Sequence, residues 1–233
     1  MNRRKILSGA QLKYIAFASM LIDHVNKALI YPNLNGGILL AISDIFDVLG
    51  RIAFPIFMFL LIEGYFRTTN RWKYLGMLLL FGLISEIPYD MFASASYFEP
   101  HWNNIMFTLA LVLAIVWSID TLKEKMGIRW RRLWYFISVV IVGAGCLVSM
   151  ILGLDYEYHA VLIGYFLYIF HEKPVWAIPF CYLSIYKETW ALLGFGLSLT
   201  YNGERGRQNK IVNYLFYPVH LFVLGMIRIY FGF

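Results

Sequence analysis

The chain has 233 residues, of which 60% are hydrophobic and 15% are charged, and its mean hydropathy is +0.63. A soluble domain cannot cover so much apolar surface, so the composition excludes a water-soluble enzyme and predicts an integral membrane protein. The net charge of +6 would favour a nucleic-acid partner in a soluble protein. Here the basic residues cluster in loops, so we expect the lipid bilayer and no nucleic acid.

Apolar blocks follow one another with short polar breaks, which predicts an all-α polytopic membrane protein with a single domain over residues 1–233. We predict about nine transmembrane helices, and eight to ten remain open because three blocks are shorter than the roughly 20 residues of a full crossing. The predicted spans are 12–31, 46–66, 74–92, 104–122, 133–152, 158–170, 175–186, 190–201 and 212–230.

Basic residues predict the orientation of these spans. They occur near the start of the chain (Arg3, Arg4, Lys5) and within 67–73, 123–132 and 205–210. Residues 33–44, 93–103 and 153–157 contain no Lys or Arg. By the positive-inside rule, the basic segments and the N-terminus are cytoplasmic, and nine crossings place Phe233 outside.

Span 12–31 contains an ionisable pair, Asp23 and His24, and such residues at membrane depth predict a functional site. Lys13 precedes His24 by eleven residues, which on an α-helix returns to within roughly 20° of the same face after a rise of about 16 Å. Asp23 offers a carboxylate to tune the imidazole as a general base. Alternatively, Asp23 binds another helix, since neighbours point about 100° apart.

Further ionisable residues lie inside predicted spans, and we expect several of them to converge with His24 on a polar pocket, chiefly Arg51, Glu86, Asp90 and His220. Arg51 could instead pair with Asp47 or Glu86 and hold helices together. The predicted cytoplasmic loop 201–207 combines two glycines with Arg205 and Arg207. It is either an anion-binding nest or a basic loop that follows the topology rule. Cys146 and Cys181 lack metal-ligand spacing, so no metal is expected.

Five short motifs occur in order along nearly the whole chain: LKYIA at 12–16 with Met20 and Asp23-His24, GRIAFPIF at 50–57, ISEIPYD at 84–90, YNGERG at 201–206 and FYPVH at 216–220. With these motifs the chain resembles the TraX family of membrane acyltransferases, known from pilin N-acetylation. Lys13, ten intervening residues and His24 also resemble the basic residue and histidine of a broader class of membrane acyltransferases.

The resemblance implies that this chain is a protein of the bacterial inner membrane. It would transfer an acyl group, preferably acetyl, from cytoplasmic acetyl-CoA, with His24 as the essential residue. Asp23, Glu86 or Asp90 would activate or orient this base. Arg51 and His220 would stabilise the oxyanion or place the acceptor. The expected donor-binding residues are Lys13, Asn202, Arg205, Arg207 and Lys210. The acceptor, a hydroxyl or amine on a glycan, polymer, lipid or peptide, is left open.

Two other classes of function remain. A proton-coupled transporter or flippase would use Asp23 and His24 with Glu86 and Asp90 as a proton relay. The chain has no convincing internal repeat, which weakly disfavours a transporter. A purely structural membrane partner would have no need of the intramembrane charges.

Overall fold

The computed structural model describes residues 6–232. Within this range the chain is helical, and extended pairing is limited to isolated bridges at Leu7–Tyr201 and Asn103–Leu154. The helices are α1 Gly9–Val25, α2 Ile38–Gly50, α3 Ala53–Arg67, α4 Arg71–Ser94, α5 Ile105–Met126, α6 Arg131–Ile151, α7 Glu157–Ile169, α8 Ala177–Ser184, α9 Ala191–Ser198 and α10 Lys210–Phe231. A π-helix, Asn26–Ile30, and a 3₁₀ turn, Tyr31–Asn33, continue α1.

The chain divides into two compact units. Unit 1 comprises Met1–Leu60, Leu83–Pro100 and Tyr186–Phe233, and unit 2 comprises Leu61–Gly82 and His101–Ile185. The residues of α3 and α4 are shared between the two units. All of the residues predicted to be functional belong to unit 1.

Five helical segments among residues 6–232 are long and apolar enough to cross a membrane: Ile38–Arg67, Arg71–Ser94, Ile105–Met126, Ile128–Ile151 and Lys210–Phe231. The prediction of apolar membrane helices is thereby confirmed. Helices α7, α8 and α9 have 13, 8 and 8 residues, fewer than the roughly 20 of a full crossing. Nine crossings and a cytoplasmic N-terminus stay predictions, and Arg3, Arg4, Lys5 and Phe233 lie outside the described residues.

The second predicted span, 46–66, is not one regular helix. Helix α2 ends at Gly50 and α3 begins at Ala53, because Pro55, the third residue of α3, has no N–H to donate to the carbonyl of Arg51 and so cannot continue the hydrogen-bond ladder of α2. The prediction that 33–44 is a connection is wrong from Ile38 onward. Helix α2 begins there, directly after two glycines with positive φ, Gly36 and Gly37.

A carboxylate in unit 2, Asp120, ties four of its helices together. It accepts hydrogen bonds from the hydroxyls of Tyr65 (2.5 Å) and Tyr168 (2.7 Å) and from Arg71 (3.4 Å). The Arg71 guanidinium also lies 4.5 Å from the centre of the Tyr65 ring. Asp120 is largely buried, with 13% of its side chain exposed, so removing it leaves its donors without their acceptor.

We predict that Asp120→Ala lowers the stability of the protein by about 1–3 kcal/mol, because hydroxyl and guanidinium donors lose their common acceptor. Glu124→Ala is the matched control, since Glu124 lies one turn further along α5 and is exposed. Thermal unfolding of both variants in the same detergent checks this. Equal losses of Tm would contradict a stabilising role for Asp120.

Candidate functional site

Two histidines of unit 1 meet in a direct hydrogen bond. Nδ1 of His24 on α1 lies 2.8 Å from Nε2 of His220 on α10. The two rings are nearly parallel, with an interplanar angle of 11° and centroids 5.0 Å apart. His220 is buried, and 15% of the His24 side chain is exposed. The structure therefore brings together two of the predicted site residues that lie 196 positions apart in the chain.

A third group, the carbonyl oxygen of Phe216, determines where the protons of this histidine pair lie. Nδ1 of His220 lies 2.6 Å from the carbonyl oxygen of Phe216, and a carbonyl can only accept, so this nitrogen donates. A neutral His220 then has its lone pair on Nε2, and Nδ1 of His24 must donate to it. The lone pair of a neutral His24 is left on Nε2, which is where a base needs it.

Asp23 lies on the other side of the His24 ring. Its Oδ2 is 4.0 Å from Nε2 of His24 and 2.6 Å from Nζ of Lys27. Oδ1 of Asp23 is buried and has no hydrogen-bond donor among residues 6–232. Because 4.0 Å exceeds hydrogen-bond distance, the main partner of Asp23 is Lys27, and its carboxylate acts on the imidazole through charge.

The break between α2 and α3 lies against α1. The hydroxyl of Ser19 donates to the carbonyls of Leu49 (2.6 Å) and Gly50 (3.1 Å), and so provides a donor for carbonyls at the end of α2. A Cβ at Gly50 would lie 2.6 Å from Oδ1 of Asp23. Only glycine lets α2 approach Asp23 this closely, and Arg51 follows directly.

The structure places the other predicted residues in different surroundings. Arg51 forms one ion pair with Glu188 (2.8 Å) and another with Asp47 (3.3 Å). The pairing with Asp47 is the structural alternative that the sequence predicted for Arg51.

Asp90 is buried and accepts the backbone N–H of Glu99 at 3.0 Å, which fastens the segment after α4. Glu86 is half-buried on the same helix. Phe92, two residues after Asp90, reaches the His24 ring with a centroid distance of 4.6 Å.

The predicted donor-binding residues lie near the first turns of α1 and α10. Nζ of Lys13 donates to Oε1 of Gln208 at 3.2 Å, and Lys13 is half-buried. The exposed residues of this set are Arg205, Arg207 and Lys210. Asn202 holds the loop in place, since its Oδ1 accepts the N–H of Glu204 at 2.8 Å.

The loop before α10 turns its carbonyls toward α1. Glu204 and Arg205 accept the backbone N–H groups of Gly9 (2.8 Å) and Ala10 (2.9 Å). An anion-binding nest presents N–H groups instead. An anion at this end would therefore contact the basic side chains rather than the backbone of the loop.

Helices α1 and α10 start at the same end and run side by side. Near their starts Lys13 contacts Gln208, and further along His24 contacts His220. Eleven residues of α1 separate Lys13 from His24, a rise of about 16 Å. The expected stripe thus has a basic group at one end and the histidine pair at the other.

Several contact residues were not predicted from the sequence. Lys27 lies four positions after Asp23, a spacing that favours ion pairs on helices and could have revealed it. Glu188 and Phe92 reach Arg51 and His24 from distant segments, and no local pattern indicates such contacts.

We predict that Gly50→Ala and Gly196→Ala change stability in opposite directions. The new methyl at position 50 collides with Asp23, which we expect to cost about 1–3 kcal/mol. A Cβ at Gly196, inside α9, meets nothing within 4 Å, so the helix propensity of alanine stabilises by about 0.5–1 kcal/mol. Thermal unfolding in detergent measures both. A stabilising Gly50→Ala would contradict the close approach of α2 to Asp23.

The chain matches a known protein family over nearly its whole length. The TraX family, described as "TraX protein", matches residues 8–228. A relative from Dichelobacter nodosus, "Probable fimbrial assembly protein FimC, serogroup H1", is 30% identical over an alignment 252 positions long, and the alignment covers 96% of this chain and 97% of the relative. No solved structure matches significantly. The match over residues 8–228 confirms the predicted family: this chain belongs to the TraX family.

Proposed function

We propose that the protein is an acyltransferase of the bacterial inner membrane. It moves an acetyl group from cytoplasmic acetyl-CoA to a hydroxyl or amine acceptor, with His24 as the general base. The observation that carries this proposal is the hydrogen bond from Nδ1 of His24 to Nε2 of His220, which leaves Nε2 of His24 with a lone pair. The motifs on which the resemblance to membrane acyltransferases rests include both histidines.

The reaction needs one proton to move twice. Nε2 of His24 takes the proton of the acceptor O–H or N–H while the acceptor atom forms a bond to the thioester carbon. The tetrahedral oxyanion then collapses, the C–S bond breaks, and the imidazolium returns the proton to the leaving thiolate. The carboxylate of Asp23, 4.0 Å from Nε2, is placed to stabilise the imidazolium between the two transfers.

The basic end of α1 and α10 suits the phosphates of the donor. Lys13 with the exposed Arg205, Arg207 and Lys210 supplies charge-assisted donors there, and Asn202 shapes the loop that carries two of them. An extended pantetheine arm is on the order of 15–20 Å long, comparable with the rise of about 16 Å from Lys13 to His24. A phosphate group at Lys13 therefore lets the thioester reach the histidine pair.

The acceptor side is assigned to Arg51. Both ring nitrogens of His220 are already engaged, so His220 has no N–H for an oxyanion, whereas Arg51 is a cation beside the Asp23 contact. To bind the acceptor or the oxyanion, Arg51 would leave its ion pairs with Glu188 and Asp47. Asp90 acts through the segment it fastens, and Glu86 remains a candidate for binding the acceptor.

A proton-coupled transporter or flippase fits less well. Such a relay needs groups that take up and release protons in series. The histidine chain ends on the carbonyl of Phe216, which accepts a hydrogen bond but cannot pass a proton on. We therefore favour acyl transfer, and the experiments below keep the two functions apart.

We predict that His24→Ala lowers the slow hydrolysis of acetyl-CoA by the purified protein about 10²- to 10⁴-fold, because the general base is lost, and leaves CoA binding intact. Hydrolysis of labelled acetyl-CoA and the thermal shift on adding CoA measure the two effects. The control is His101→Gln, which changes an exposed histidine of unit 2. A wild-type protein that neither binds nor hydrolyses acetyl-CoA, yet carries a solute flux in vesicles, would refute the acyltransferase.

We predict that Lys13→Gln weakens binding of CoA about tenfold and leaves binding of acetyl-pantetheine, which has no nucleotide, unchanged. One charge-assisted hydrogen bond to phosphate is worth about 1.5–3 kcal/mol. Lys125→Gln, at an exposed lysine of unit 2, is the control. Equal affinity of wild type and Lys13→Gln for CoA would remove Lys13 from the donor site.

A further inference from the structure

We infer that His220 is a positioning residue, which holds the His24 ring in one tautomer by accepting its Nδ1–H proton. The inference rests on the proposed function for its catalytic meaning. It gives His220 the task that a carboxylate performs in a serine-hydrolase triad. The oxyanion or acceptor role predicted from the sequence is replaced, because neither nitrogen of His220 is left to serve it.

The carbonyl of Phe216 determines which atom donates and which accepts in both hydrogen bonds that link His24, His220 and Phe216. Since it accepts from Nδ1 of His220 at 2.6 Å, the other nitrogen of neutral His220 is an acceptor, 2.8 Å from Nδ1 of His24. The opposite tautomer of His24 would place two lone pairs against each other at that distance. Only one arrangement of two neutral rings satisfies both contacts.

Packing holds this arrangement in place. The ring of His220 stacks on Phe216 with centroids 4.7 Å apart and meets Tyr217 edge-on at 5.8 Å. The His24 ring is covered by Phe92 at 4.6 Å. With aromatic neighbours on both imidazoles, rotation of either ring breaks the hydrogen bond in surroundings with little water to replace it.

Asp23 cannot perform the orienting task. Its closest oxygen faces Nε2 of His24 at 4.0 Å rather than Nδ1, and its strong partner is Lys27 at 2.6 Å. A carboxylate that orients an imidazole must accept its N–H within hydrogen-bond distance. The two residues that contact His24 therefore divide the work, with His220 setting orientation and Asp23 supplying charge.

Three substitutions of His220 separate positioning from packing. His220→Gln keeps an acceptor close to the former Nε2, His220→Leu keeps volume without an acceptor, and His220→Lys offers only donors. We expect kcat for acetyl-CoA turnover to fall about 100-fold or more in the Leu and Lys variants and less than about tenfold in the Gln variant. The KM for acetyl-CoA should stay constant, since its phosphates bind at the other end of α1.

Nuclear magnetic resonance of ¹⁵N-histidine-labelled protein tests the tautomer without any need for activity. The His24 signals are assigned by their loss in His24→Gln. We expect wild type and His220→Gln to show Nδ1 protonated and Nε2 unprotonated, and His220→Leu to show a mixture of tautomers. An unprotonated Nδ1 in wild type, or an unchanged signature and full kcat in His220→Leu, would overturn the inference. A correct signature in a protein without acetyl-CoA turnover would instead reject the proposed function alone.

Discussion

Polar groups inside a hydrocarbon layer must find hydrogen-bond partners within the chain, because lipid offers none. In unit 1, α1 supplies such partners at two points to segments that are long and apolar enough to cross a membrane, Ile38–Arg67 and Lys210–Phe231. Ser19 binds the two carbonyls at the end of α2, so the helix can break at Arg51 without exposing them. His24 and His220 bind each other, and Phe216 completes the chain. The irregular backbone and the histidines are thus both accommodated by neighbouring side chains of the same unit.

Glycines set how closely these elements approach. In unit 1 a Cβ at Gly50 would lie 2.6 Å from Asp23, one at Gly194 2.5 Å from the carbonyl oxygen of Ile52, and one at Gly225 2.6 Å from Met91. Small residues at helix contacts are the usual way in which membrane helices pack, since lipid removes most of the hydrophobic drive between them. The break after Gly50 is therefore enclosed by close contacts on two sides, which fixes the direction in which Arg51 leaves the backbone.

The sequence predicted features that depend on one helix. Of those that depend on two, it predicted that His24 and His220 share a pocket but not which atoms contact each other. The apolar blocks and the pairing of Arg51 with Asp47 follow from local spacing, and both are found. The bond between His24 and His220, and that between Arg51 and Glu188, depend on the rotation of separate helices. No periodicity encodes such rotation. Helix α2 was placed too late because Ser43 and Asp44 interrupt its apolar run, although Gly36 and Gly37 mark its start.

The choice of histidine rather than a carboxylate behind His24 has an electrostatic reason. A buried carboxylate without a cation is far more costly than a neutral imidazole, and the carboxylate of Asp23, 4.0 Å from His24, is accompanied by Lys27 at 2.6 Å. In the proposed reaction, the acceptor of the Nδ1–H bond must be present throughout, whereas compensating charge is needed only while His24 is an imidazolium. A neutral acceptor on one side and a paired carboxylate on the other meet these two needs separately. The charge of Asp23 is then paired with Lys27 in the resting site, and the carboxylate lies beside Nε2, where positive charge develops.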